Sequence, residues 1–166
     1  MYLAKMVLLA GVLVGIPWRA SAQDHKVESL FVYNFAKYIE WPTERKSGDF
    51  VIGVVGDEAT VLEFRNTLEG KLKDAQKIVI KDANAGAYNS CHLVFVAPSK
   101  SAQLPRVRKD TTDPAVVIVT EKSGSLSEGS TINMVKENGK LQYEITDRLK
   151  DYSVKISSQL LRLAKS

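Results

Sequence analysis

The chain has a single cysteine, Cys91, and only two histidines, His25 and His92. One cysteine excludes an internal disulfide, so stability has to come from the core. It also leaves no set of cysteines and histidines at the spacing a zinc site needs. Neither histidine has a motif partner that would orient it as a general base, since His25 lies in a polar stretch and His92 inside an apolar run. Charge of one sign is lacking too: 23 Lys and Arg face 19 Asp and Glu, interspersed along the chain, which is no nucleic-acid footprint. No apolar run approaches the ~20 residues that cross a bilayer. Phosphate cradles are missing as well, because Gly53-Val-Val-Gly56 fits neither the dinucleotide nor the P-loop pattern. Ser125 and Ser127 sit in a Gly-rich loop without a nucleophile elbow. No catalytic residue, cofactor or metal is therefore expected, and the protein is expected to act by binding.

At the N-terminus, Lys5 precedes the apolar stretch Met6–Ile16, and Ala20-Ser21-Ala22 follows before Gln23. A basic start, a short apolar core and small residues at a cleavage point describe a secretory signal peptide. The expected organisation is a leader over residues 1–22 and one domain over 23–166, exported and not inserted in the membrane. Cys91, at the start of an apolar run, reads as a small buried hydrophobe.

The remaining pattern alternates between helical and strand periods. Val27, Leu30, Phe31, Phe35 and Tyr38 recur at helical spacing and predict a helix over Lys26–Trp41, stopped by Pro42, with that stripe facing the core. Phe50–Val55 predicts a buried strand, followed by a helix capped by Asp57, with Val61, Leu62, Phe64 and Leu68 inward and Gly70 as its stop. Further strands are expected at Lys77–Ile80, Cys91–Val96 and Ala115–Thr120, with a short helix over Ser101–Lys109. Asn138-Gly139 between Thr131–Lys136 and Lys140–Ile145 predicts a hairpin. A last helix carries Ile156, Leu160, Leu163 and Ala164 on one arc, with Ser157 packed inside it. The expected fold is α/β, a mostly parallel sheet with an antiparallel C-terminal hairpin and helices on both faces, in one layered domain.

Two surfaces emerge as binding candidates. On the first helix Tyr33, Lys37 and Glu40 share an edge opposite the apolar stripe, Trp41 follows at the helix end, and Arg162 lies on the polar arc of the last helix. Amphipathic aromatics of this kind are enriched in interfaces, so these five form a candidate partner-binding surface, with cover by another part of the chain as the other reading of Tyr33. The second candidate is a small-ligand pocket at the C-terminal ends of the parallel strands, where Asp57, Ser99, Lys100 and Glu121 are expected to converge.

Five segments carry a family likeness. Tyr33-Asn-Phe-Ala-Lys-Tyr-Ile-Glu-Trp-Pro42, Ile52-Gly-Val-Val-Gly-Asp57, Cys91-His-Leu-Val-Phe-Val96, Gly129-Ser-Thr-Ile-Asn-Met134 and Lys155-Ile-Ser-Ser-Gln-Leu-Leu-Arg-Leu-Ala164 together resemble the YfiR family, in order and over nearly the whole expected mature chain. The resemblance implies a periplasmic regulator that binds the periplasmic sensor domain of an inner-membrane diguanylate cyclase and holds it inactive, lowering cyclic di-GMP. It also implies a homodimer. Some members carry cysteine pairs linked to redox-dependent folding, and this chain, with Cys91 alone, departs from them.

Overall fold

The computed structural model describes residues 18–165, with side chains from residue 23 onward, so the expected leader lies almost wholly outside the described residues. In chain order, α1 (Trp18–Tyr38) leads to β1 (Ile39–Glu40), β2 (Phe50–Val55), α2 (Glu58–Leu68), β3 (Leu72–Lys73) and β4 (Gln76–Asp82). Then come β5 (Leu93–Val96), α3 (Leu104–Asp110), β6 (Val117–Thr120), β7 (Ile132–Glu137), β8 (Lys140–Ile145), β9 (Lys155–Ile156) and α4 (Ser158–Leu163). No described helix is long and apolar enough to cross a membrane.

The continuous apolar runs form the middle of a seven-stranded sheet in the order β3-β4-β2-β5-β6-β7-β8. The five strands from β4 to β7 in that order are parallel, while β3 and β8 pair antiparallel at the two ends. Every residue of β5 and β6 is buried, as strands covered on both faces should be. One face packs Phe50, Ile52 and Phe95 against Val32, Phe35, Phe64 and Leu160 of α1, α2 and α4. The other packs Val55, Val94 and Ile118 under Tyr88 and the Leu104 and Val107 of α3. The expected α/β layering is therefore present, and so is the hairpin. Asn138 (φ 50°) and Gly139 (φ 74°) make its turn between the paired Glu137 and Lys140, both in the left-handed region that a two-residue hairpin loop requires.

Several local expectations need correction. The first helix ends at Tyr38, and Ile39-Glu40 instead pair antiparallel with Lys155-Ile156 in a small separate sheet. The cause lies in Trp41, whose indole Nε1–H donates to the Ala115 carbonyl at 2.8 Å and whose ring meets Phe50 edge-on at 4.8 Å. Reaching that slot draws the chain out of helix three residues early. The buried face of α1 is made by Glu28, Ser29, Val32, Phe35 and Ala36 and is continued by Ile39 of β1, about a third of a turn from the expected stripe at 100° per residue. Val27, Leu30 and Tyr38 are exposed, as is Leu62 on α2.

At the other end α4 is short, because Ile156 belongs to β9 and Ser157 is extended (φ −64°, ψ 147°). Its Oγ accepts from the Leu160 N–H at 3.2 Å, so Ser157 is a helix cap rather than a packing residue. Asp57 caps α2 as expected.

The two residues at the head of β5 are buried structural groups. His92 accepts from the Val51 N–H at Nδ1 (3.1 Å) and donates from Nε2 to the Arg45 carbonyl (2.8 Å), which fixes the neutral Nε2–H tautomer. Its ring stacks on Phe50 at 4.4 Å, and burial holds its pKa below the usual histidine value. The Cys91 thiol is fully buried and its pKa is raised by that burial, so it is not presented for a bond to a second molecule. It packs against Gly53, where a Cβ would stand 2.8 Å from Sγ.

Trp41→Ala is expected to lower unfolding free energy by ~3–5 kcal/mol, the usual cost of emptying a buried aromatic site. Urea titration reads this directly, and an unchanged midpoint would show that the indole does not anchor the end of α1.

Candidate functional site

In the parallel part of the sheet the strand order reverses between β2 and β5, the crevice where ligands most often bind in such folds. Here the crevice is used internally. Asp57 Oδ1 accepts from Thr60 N–H at 2.9 Å and from Thr60 Oγ1 at 2.7 Å, and those two bonds hold its pKa below the usual carboxylate value. The Asn84 side-chain amide donates to the Gly56 carbonyl at 2.9 Å. Ser99 and Lys100 lie in a 3₁₀ turn after β5. The cavities described below are lined by none of Asp57, Ser99 or Lys100, and Glu121 is engaged with α1 and β7 instead. Of the four residues expected to converge on a pocket, Glu121 is drawn to α1 and β7, while Asp57 lies close enough to Lys100 for that ammonium to act on its carboxylate.

Glu121 belongs to a polar cluster that ties the N-terminal half of α1 to the ends of β6 and β7. Its side chain is 9 % exposed, and Lys136 Nζ lies 3.5 Å from one oxygen while the other has no partner. Lys136 also pairs with Asp24 at 3.2 Å, and Glu28, itself 3 % exposed, pairs with His25 Nδ1 at 2.9 Å. Burial first, then the adjoining Glu28 carboxyl, push the Glu121 pKa up to about 7, against the pull of Lys136. Two buried carboxyls thus share a site that resists a second negative charge. Sequence reading picked out Glu121 but not Glu28, because nothing in the local pattern of α1 shows which strand end it will meet.

On the outer side of α1 lies an apolar groove of about 280 Å³, lined by Phe31, Phe35 and Tyr38 of α1, Tyr143 of β8, and Leu160 and Leu163 of α4. Tyr143 forms its floor: its hydroxyl donates to the Leu160 carbonyl at 2.8 Å and its ring meets Phe31 and Phe35 edge-on. Leu163 is 68 % exposed at one side, and Val27, Leu30 and Tyr38 extend apolar surface along the helix. Of the stripe expected to face the core, Phe35 does so and Phe31 is partly buried, while Val27, Leu30 and Tyr38 are left uncovered.

The five expected partner-binding residues fall differently. Trp41 is 3 % exposed and serves the core, so it presents nothing to a partner. Tyr33 is half-buried, with its hydroxyl donating to the Leu72 carbonyl at 3.3 Å and the Lys37 and Lys71 ammonium groups over its ring. Another part of the chain covers it. Lys37, Glu40 and Arg162 are exposed, Arg162 on α4 beside the groove. The residues that reasoning missed as surface, Val27, Leu30, Phe31 and Leu163, had their signal in the apolar stripe itself, whose facing it could not fix.

The residues thus build a layered α/β domain with an open apolar groove along its first helix. More particularly, the chain is a member of the YfiR/HmsC-like family, whose model (DUF4154) matches residues 25–165, a family of regulators rather than enzymes. No curated protein matches the chain.

Because Glu121 holds its proton more tightly in the folded chain, folding is favoured at low pH and this contribution is lost as pH rises from the unfolded value of ~4.3 through about 7. Glu121→Gln is expected to flatten the fall of melting temperature across that window and to raise it at pH 8. Parallel curves for the two proteins would show that Glu121 ionises freely.

Proposed function

We propose that this protein is a periplasmic regulator that docks on the sensor domain of an inner-membrane diguanylate cyclase and represses it, so that its release raises cyclic di-GMP. Family membership supports the pathway, and the uncovered groove between α1, β8 and α4 is the observation that carries the docking reading. An apolar surface lined by aromatics with charged residues at its border has the make-up of a protein interface. Leu163 lines it and is exposed, Leu30 is exposed on α1 one turn before the lining residue Asn34, and the exposed charges Lys37 and Arg162 are chain neighbours of the lining residues Tyr38 and Leu163. The homodimer implied by the family likeness belongs to the same reading. So does export through a cleaved leader, with residue 23 as the first residue of the mature chain.

Cross-linking in intact cells, followed by capture of the tagged protein, is expected to recover a membrane protein with a periplasmic sensor and a cytoplasmic cyclase domain. Leu30→Glu and Leu163→Glu, both at exposed positions that the fold does not need, should each weaken that association at least ~5-fold, beyond the ~1 kcal/mol that marks a hot-spot residue. Leu62→Glu on α2, away from the groove, should not. Full affinity in both groove variants would remove this face from the docking reading. Two differently tagged copies recovered together would establish the dimer, and the N-terminal mass of the captured chain reads the cleavage point.

A further inference from the structure

Beside the two-stranded β1–β9 ribbon lies a second cavity of about 400 Å³, remote in kind from the apolar groove because Lys37, Lys46, Lys73 and Lys155 stand around it, with Ile39 and Ile156 in its wall. Two carboxylates share it, Glu40 and Asp74. Lys46 pairs with Glu40 at 2.9 Å, both side chains being well exposed. Lys73 is different: its side chain is only 9 % exposed, and its ion-pair partner is Asp74, whose carboxylate is 75 % exposed on a residue with φ +53°. Lys155 lies directly across the ribbon from Glu40, and Lys37 is held over the Tyr33 ring at 5.0 Å. Neither has a carboxylate within salt-bridge distance among the described residues.

A lysine ammonium taken this far out of water is costly unless an anion meets it, and an exposed aspartate is a weak partner. Lys46 first, then Lys155 and Lys73, hold the Glu40 pKa below the usual carboxylate value, so these three ammonium groups all bear on one point and favour negative charge there. Four cations against two exposed carboxylates leave the cavity short of anion. A ligand with a single carboxylate would offer nothing that Glu40 does not already supply within the chain. A doubly charged group would, and lysines bind phosphate readily as point charges.

We propose that this cavity is a binding site for a phosphate-bearing ligand, whose phosphate takes the place of the Glu40 carboxylate between Lys46, Lys73 and Lys155. The phosphate belongs either to a small soluble molecule or to a lipid headgroup at the membrane surface. The site shares Tyr38 with the docking groove but rests on its lysines, and its failure would leave that reading untouched.

Calorimetric titration of the purified protein with pyrophosphate, and flotation with phosphatidylglycerol-containing and pure phosphatidylcholine vesicles, test the proposal in two arms. Saturable pyrophosphate binding that weakens at least ~10-fold in Lys155→Met, tightens in Glu40→Gln and falls with added salt is the result expected for a soluble ligand. The same dependence seen only with phosphatidylglycerol vesicles supports the lipid source. Lys155 and Glu40 are both exposed, so these variants keep the fold, which thermal melts verify, and they decide the matter even where Lys73→Met does not fold. No binding in either arm, or binding indifferent to Lys155 and Glu40, overturns the proposal.

Discussion

The placement of Trp41 governs most of what surrounds it. One indole N–H bonded to the Ala115 carbonyl, with the ring set on Phe50 and 6.0 Å from His92, joins the end of the first helix to the starts of three strands. A buried tryptophan whose donor is satisfied contributes its large apolar area without a desolvation debt. Its position stops α1 at Tyr38, puts Ile39-Glu40 into the ribbon with Lys155-Ile156, and fixes the rotation of the helix about its axis. That rotation buries Glu28 beside Glu121 and turns Leu30 and Tyr38 outward. The polar cluster, the apolar groove and the lysine-rich cavity all lie along the helix whose end this side chain anchors.

These three features also divide the helix by function. Near its N-terminal end, carboxyls held in low dielectric make contact with β6 and β7 sensitive to proton concentration around neutrality. Along its outer side, apolar residues lie ready for a partner. At its C-terminal end it passes into the ribbon that borders the lysines. The proposed docking surface and the proton-sensitive contacts thus lie along a single helix.

Much of the fold was legible because its strands are short continuous apolar runs. Phe50–Val55 and Lys140–Ile145 are observed with the expected ends, and Asn138-Gly139 states its turn in two residues. Asp57 announced its cap for a local reason, since its partner Thr60 is three residues away. What could not be read depends on distant partners. Two-residue strands such as Ile39-Glu40 have no period, and they exist only because Lys155-Ile156 arrive from the other end of the chain. The facing of α1 was misjudged because it buries a glutamate and a serine while exposing a valine and a leucine, a reversal of the usual preference. Glu28 is tolerated inside only with His25 and Glu121 around it. Glu121 and Arg162 could be named from local pattern, but their surroundings, Glu28 and Lys136 for the one and the groove beside α4 for the other, needed the third dimension.

The ribbon has a consequence for the order in which the chain can assemble. Ile39 finds its strand partner in Ile156, and the Tyr38 carbonyl accepts from the Ser157 N–H, so the end of the first helix is fastened by residues 117 and 119 positions further along the chain. Contacts of such long sequence separation form late. The end of α1 therefore stays unlatched until β9 has formed, and the domain closes like a clasp rather than growing from one end.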